Sequence, residues 1–252
     1  MKLNYKKSGS GPPLFILHGL FGSLDNWFSI AKELTESFTL YLVDQRNHGD
    51  SPHEDVWNYA VMVEDLKELL DAEGLDKAYL MGHSMGGKTA MNFALKYPEH
   101  VDKLIVADIA PRYYPPHHQS ILEGLNSLDL KAIQSRKEAD EQLARYIPEL
   151  GVRQFLLKSL SRDSDGFAWK INLPVITKDI ENVGEALPEG ANFNGPTLFL
   201  VGANSNYIQQ KDMADIEAYF PNYELEFVAD AGHWLHAEQP HAVVVEMRKF
   251  LN

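Results

Sequence analysis

The pentapeptide Gly82-His83-Ser84-Met85-Gly86 is the part of this 252-residue chain best suited to covalent chemistry. Its G-x-S-x-G spacing sets a serine between two glycines, with an apolar run at 77–81 before it and a helical pattern from Gly87 after it. A nucleophile on a sharp strand-to-helix turn sits in strained backbone, so small residues are needed two positions to either side for the chain to fold tightly. The helix start that follows aims free N–H groups and the positive end of its dipole at the place where negative charge develops during acyl transfer. Ser84 is therefore the candidate nucleophile. A glycine-rich turn whose serine merely caps a helix would spell the same letters, and the strand-turn-helix setting argues against it.

Acyl transfer also needs an oxyanion hole and a base. The loop Leu17-His18-Gly19-Leu20-Phe21-Gly22 follows the apolar run 14–17, and its glycines let backbone approach a substrate closely. The two oxyanion donors are assigned to the N–H groups of Leu20 and Met85, with His18, Gly19, Gly82 and Gly86 in support. Ten histidines compete for the base. His83 is the variable position of the elbow, and His53, His100, His117, His118 and His241 lie in polar or proline-flanked stretches and read as solvated. His233 stands in Ala231-Gly232-His233-Trp234, after the last predicted strand and before the final helix, where the order serine, acid, histidine requires the base. His236 is its nearest rival. A metal site built on His233 and His236 has neither an HExxH pattern nor a third ligand, so no metal and no cofactor are expected.

The elements that must position these groups are short apolar runs alternating with helical segments. Strands are predicted at 14–17, 39–43, 77–81, 103–107, 197–201 and 224–228, and helices at 27–36, 61–73, 85–97, 208–220 and 242–250. That rhythm predicts an α/β fold with a mostly parallel central sheet and helices on both faces. The length and 44% hydrophobic content suit one domain spanning 1–252. From 111 to 194 the strand rhythm stops, Pro115-Pro116 intervenes, and helical stretches at 128–146 and 152–160 read as an inserted helical lid. Residues 111–178 hold 10 Lys or Arg and 8 Asp or Glu, a net +2, against −15 for the remainder of a chain whose total is −13. A solvated helix pair accounts for that contrast; the alternative is a lid that tolerates an anionic substrate. The net charge and a pI near 5.2 argue against nucleic acid. No run approaches the roughly 18 apolar residues of a membrane helix, and the first ten residues lack the apolar core of a secretory signal. With no cysteine in the chain, a cytoplasmic protein acting on a small molecule is expected.

Taken together, these residues resemble the α/β-hydrolase superfamily over nearly the whole chain. The likeness is carried by His18-Gly19, Asp44-Gln45-Arg46-Asn47-His48-Gly49-Asp50-Ser51, Gly82-His83-Ser84-Met85-Gly86-Gly87 and Gly232-His233. Within the superfamily, Arg46-Asn47-His48-Gly49, Val152-Arg153-Gln154-Phe155-Leu156-Leu157-Lys158 and Trp169-Lys170-Ile171-Asn172-Leu173 are similar to the small bacterial YbfF-type esterases. The resemblance implies an α/β-hydrolase fold with the lid inserted after the sixth strand, and gives the Asp44 loop the task of organising the floor of the site. Many relatives place the catalytic acid in a G-x-x-D loop after the seventh strand. Here that loop reads Gly202-Ala203-Asn204-Ser205, while Asn206 is neutral and Asp212 falls in the next predicted helix. The YbfF likeness implies Asp108 as the acid instead, with Asp230 in reserve and Ser205 as a possible orienting group.

The implied activity is that of a serine esterase acting on carboxylic esters or thioesters through an acyl-enzyme. Tyr113, Phe155, Trp169 and Trp234 are candidates for an apolar substrate pocket. Carbon–carbon hydrolases and the menaquinone-pathway lyase share Ser-Met-Gly-Gly, and a non-catalytic receptor on this scaffold is the alternative from a different class.

Overall fold

The computed structural model describes residues 1–164 and 166–252. In chain order, β1 (Tyr5–Gly9), β2 (Pro13–Leu17), α1 (Phe28–Leu34), β3 (Thr39–Val43), α2 (Tyr59–Ala72), β4 (Ala78–His83), α3 (Met85–Lys96) and β5 (Val101–Ala107) build the first part. After a long excursion, β8 (Thr197–Gly202), α8 (Met213–Tyr219), β9 (Tyr223–Val228), α9 (Leu235–Glu238) and α10 (Pro240–Leu251) complete it. The excursion carries α4 (Gln119–Ser127), α5 (Arg136–Leu143), α6 (Leu150–Leu156), a hairpin of β6 (Leu160–Asp163) with β7 (Gly166–Trp169), and α7 (Leu173–Lys178).

Among the described residues the main sheet has seven strands in the order β1-β3-β2-β4-β5-β8-β9. Only β1 runs antiparallel, pairing with β3 from Tyr5 opposite Val43 to Gly9 opposite Thr39. Its sequence, Tyr-Lys-Lys-Ser-Gly, has no apolar alternation, so sequence periodicity misses it; an exposed edge strand needs none, and its lysines guard the edge. The central strands are buried on both faces, as their unbroken apolar runs require. Side chains alternate across β2: Phe15 and Leu17 join the core beneath α2 and α3, whereas Leu14 and Ile16 join the core beneath α1 and α10. A third core lies within the excursion and takes in Leu20, Phe21, Trp57 and Met85 from the body.

The excursion differs from its sequence reading in two ways. It leaves the sheet after the fifth strand of this chain, and it is only partly helical. The helix expected at 128–146 shrinks to Arg136–Leu143, and that expected at 152–160 runs Leu150–Leu156 before a one-turn 3₁₀ segment leads into the hairpin. Apolar spacing alone does not separate a short amphipathic helix from a half-buried strand, and Phe167, Ala168 and Trp169 suit the latter. Among the described residues, no helix is long and apolar enough to cross a membrane.

Candidate active site

The site lies where β4, β5 and β8 end. In register, His83 opposes Ala107 and Ala107 opposes Leu200, so the residues that follow emerge side by side at one sheet edge. Ser84 follows β4 with φ 53° and ψ −118°, a left-handed conformation costly for a residue with a side chain. Two glycines make the turn possible: a Cβ on Gly82 would lie 2.1 Å from Gly86 O, and one on Gly86 would lie 2.4 Å from Leu17 O. Strand and helix therefore touch through backbone. Asp108 follows β5, also at positive φ (52°), and its N–H bonds Leu200 O at 2.8 Å. Two adjacent strands thus end in strained residues whose side chains turn toward each other.

His233 links them. Its Nε2 lies 3.1 Å from Ser84 Oγ, and its Nδ1 lies 2.7 Å from Asp108 Oδ2. The fully buried Asp108 carboxylate also accepts the Ser205 hydroxyl at Oδ2 and the Gly202 N–H at Oδ1 (3.1 Å). Burial raises the Asp108 pKa, and the Ser205 and Gly202 bonds pull it back; burial lowers that of His233. The proton between the two belongs on Nδ1, since two further donors already favour the charged carboxylate. Nε2 is then bare and faces Ser84 Oγ, the state a general base requires. Asp230 is exposed, and His236 is buried in a stack on Trp27 (centroids 4.6 Å apart) without a bond to Ser84. Asn204 and Asn206 are exposed, while buried Asp212 pairs with Arg112 at 2.8 Å.

Leu20 and Met85 line the cleft together with Ser84. Phe21 N–H is taken by His48 Nε2 (3.2 Å) and Gly22 N–H by Gly19 O (3.0 Å), whereas Leu20 N–H has no acceptor among the described residues. Met85 opens α3, and the first N–H groups of a helix have no intrahelical partner. His18 holds this loop: its Nδ1 donates to Gly19 O (2.8 Å), its Nε2 accepts from Gln45 N–H (3.0 Å), and burial pushes its pKa down to about 4. It is a neutral strut. Asp44 is structural too, accepting from Leu24 N (2.8 Å), Asn4 Nδ2 (2.8 Å) and Asp50 N (2.9 Å). Arg46 spends its guanidinium on Asp65, at 2.6 and 2.9 Å. Among the described residues, no group of three or more His, Asp or Glu is placed to hold a metal ion.

A model of the family described as alpha/beta hydrolase fold matches residues 12–142. The esterase YbfF of Escherichia coli is 38% identical over the whole of both chains. The chain belongs to the α/β-hydrolase family. The likeness to YbfF-type esterases thus extends well beyond the short motifs that suggested it. The hydrolase is also 38% identical to the mouse sn-1-specific diacylglycerol lipase ABHD11, covering 95% of this chain and 81% of that one. Among solved structures, a marine microorganism esterase superposes with a TM-score of 0.96 at 46% identity, covering 99% of both chains.

A cavity of about 360 Å³ opens over Ser84 and His233, walled by Phe21, Ile121, Val152, Phe155 and Trp234. Phe155 and Trp234 were expected at such a pocket; Tyr113 and Trp169 are not in its wall. Tyr113 is 49% exposed on the loop that enters the excursion, and Trp169 ends the hairpin against the excursion's core. The charge contrast also dissolves. Continuing the count from 178 to 194 adds Asp179, Glu181, Glu185 and Glu189 without a base, turning +2 into −2. Several of the basic residues are paired, Arg153 with Asp140 and Lys170 with Asp50, each at 2.8 Å.

Four residues at the site escaped the sequence reading. Tyr207 stacks flat on His233 at 3.7 Å and 12°, and its hydroxyl meets His117 Nε2 at 2.8 Å. Its place two residues after Ser205, in the loop that follows β8, was the available signal. His83 donates from Nε2 to the His233 carbonyl at 2.7 Å, so the variable elbow position steadies the loop of the base. His117 and His118 line the cavity despite their proline-flanked setting, because the excursion folds them back over Ser84.

Proposed function

We propose that the hydrolase cleaves carboxylic esters through an acyl-enzyme on Ser84, with His233 as base, Asp108 as its acid partner, and the excursion 111–194 as a lid over the cleft. The observation that carries this reading is the unbroken chain from Ser84 Oγ through His233 to buried Asp108, at 3.1 and 2.7 Å, on the floor of an apolar cavity. The esterase and lipase names of the full-length relatives support the same reaction class.

His233 Nε2 takes the Ser84 proton as Oγ bonds to the substrate carbonyl carbon. The Leu20 and Met85 N–H groups hold the oxyanion, and loss of one such donor typically costs about 2.7–4 kcal/mol of barrier. Asp108 offsets the imidazolium charge while Ser205 and Gly202 keep the carboxylate in place. The bond to the leaving oxygen breaks as Nε2 returns the proton to it. Water then gives a proton to Nε2, adds to the acyl carbon and releases Ser84 and the acid. A thioester would follow the same proton path, but without a basic lid an anionic carrier has no special claim.

The acid's position weighs against carbon–carbon cleavage. An assay setting a short p-nitrophenyl ester beside a vinylogous diketone separates the two. Ester turnover is expected, and turnover of the diketone alone would overturn the proposal.

A further inference from the structure

Ser84 stands at the junction of two cavities of very unequal size. One is the 360 Å³ cavity lined by His233 and Trp234; the other, of about 30 Å³, is lined by Met85, Ile109 and Val183. Leu20, Ser84, His118 and Tyr207 line both, so these are two lobes of one cleft joined at the nucleophile. His233 faces the large lobe and Met85 the small one.

That division decides which part of an ester goes where. In the tetrahedral intermediate the leaving oxygen must come within about 2.6–3.2 Å of His233 Nε2 to receive its proton, so the leaving group runs out through the lobe that His233 lines. The oxyanion turns to the Leu20 and Met85 amides. The remaining substituent, the acyl chain, is left with the small lobe. A water-sized group needs about 10–15 Å³ of such space, so the small lobe takes about two or three methyl-sized groups beyond the carbonyl carbon.

The inner wall of the small lobe is also tied down. Lys88, fully buried on α3, donates from Nζ to Pro111 O (2.9 Å), Arg112 O (2.6 Å) and Glu185 O (2.7 Å), fastening both ends of the excursion to the nucleophile's helix. Tyr114 N–H bonds Gly184 O at 2.8 Å, and the Tyr114 hydroxyl accepts from Ala110 N–H at 2.9 Å while donating to Tyr207 O. A Cβ on Gly184 would sit 2.0 Å from Tyr114 O, so the two ends of the excursion touch through backbone. The large lobe has no such limit. Beyond Phe155 and Trp234 it continues into an outer groove of about 440 Å³.

We infer that the hydrolase acts on esters that join a short acyl group, up to about four carbons, to a bulky apolar alcohol, with the acyl limit set by the wall that Lys88 pins. This inference rests on the serine ester hydrolase reading above. The test is kcat/KM for p-nitrophenyl acetate, butyrate and octanoate, and for methyl and decyl acetate, with acyl-Ser84 followed by mass spectrometry. A drop of at least about tenfold from butyrate to octanoate is expected, since a single methylene in a tight pocket is already worth about that much. Decyl acetate should be cleaved at least as well as methyl acetate. Val183→Ala removes wall without removing a hydrogen bond, and should raise the octanoate-to-acetate ratio by about tenfold. Octanoate cleaved as fast as acetate by the wild type, with Ser84 acylated, would overturn the inference and leave the ester hydrolase reading standing. No turnover of any ester and no Ser84 adduct would overturn both.

Discussion

At the ends of β4 and β5, Ser84 and Asp108 are fixed by backbone: their N–H groups bond Ala107 O at 3.0 Å and Leu200 O at 2.8 Å, carrying the sheet ladder one residue past each strand. In the excursion, Ile121 and Phe155 reach the same cleft from helices of nine and seven residues, and ties such as Lys88 to three carbonyls and Lys170 to Asp50 hold that layer to the body. On the proposed function, the sheet places the chemistry and the excursion shapes what can reach it. Substitutions at the strand ends should therefore change rate far more than stability, and those at an exposed tie such as Lys170–Asp50 should change neither by much.

Asp108→Asn gives the largest expected effect among the predictions that follow. An amide keeps the shape but loses the charge that fixes the His233 tautomer, so kcat should fall by about 10³–10⁴-fold, measured with p-nitrophenyl acetate at constant protein fold by circular dichroism. A rate within a few-fold of wild type would move the acid elsewhere. Next is the pH profile. Catalysis needs unprotonated Nε2, and burial lowers the His233 pKa from 6.5, so the acid limb of kcat/KM should lie below pH 6.5; a limb above that value would mean that the Asp108 carboxylate, and not burial, governs the titration of the pair. Tyr207→Leu removes the ring stacked on His233 at 3.7 Å. Aromatic stacking is worth about 0.5–1.5 kcal/mol, so kcat should drop by up to about tenfold with KM little changed. Smallest is Lys170→Met, which breaks the half-exposed Lys170–Asp50 pair across the seam. Urea unfolding should register less than about 1 kcal/mol, with kcat intact.

The same contrast explains what could be read from the sequence. Strands such as 14–17 and 39–43 were legible to within a residue because burial on both faces demands unbroken apolar runs. Ser84 and Asp108 directly follow such strands, and His233 lies in the loop after the edge strand β9, so the places of all three were visible from element order. β1 and the β6–β7 hairpin were not read: one is a polar edge, and the other has four residues per strand without a long apolar run, although Asp165-Gly166 in the sequence was an available turn signal. The cleft residues of the excursion were the least accessible. Nothing in Pro116-His117-His118 tells that both histidines line the cleft, His117 while remaining exposed, because that follows from how the excursion is fastened by Lys88, a residue whose own sequence setting looks like an ordinary helix surface.

The most direct test of the central claim is to treat the folded protein with a fluorophosphonate probe and locate the adduct by peptide mass spectrometry, alongside His233→Ala. A single adduct on Ser84, formed at least about 10³-fold more slowly in His233→Ala, is the predicted result. An unlabelled Ser84 in folded wild-type protein, or labelling that does not depend on His233, would contradict the account.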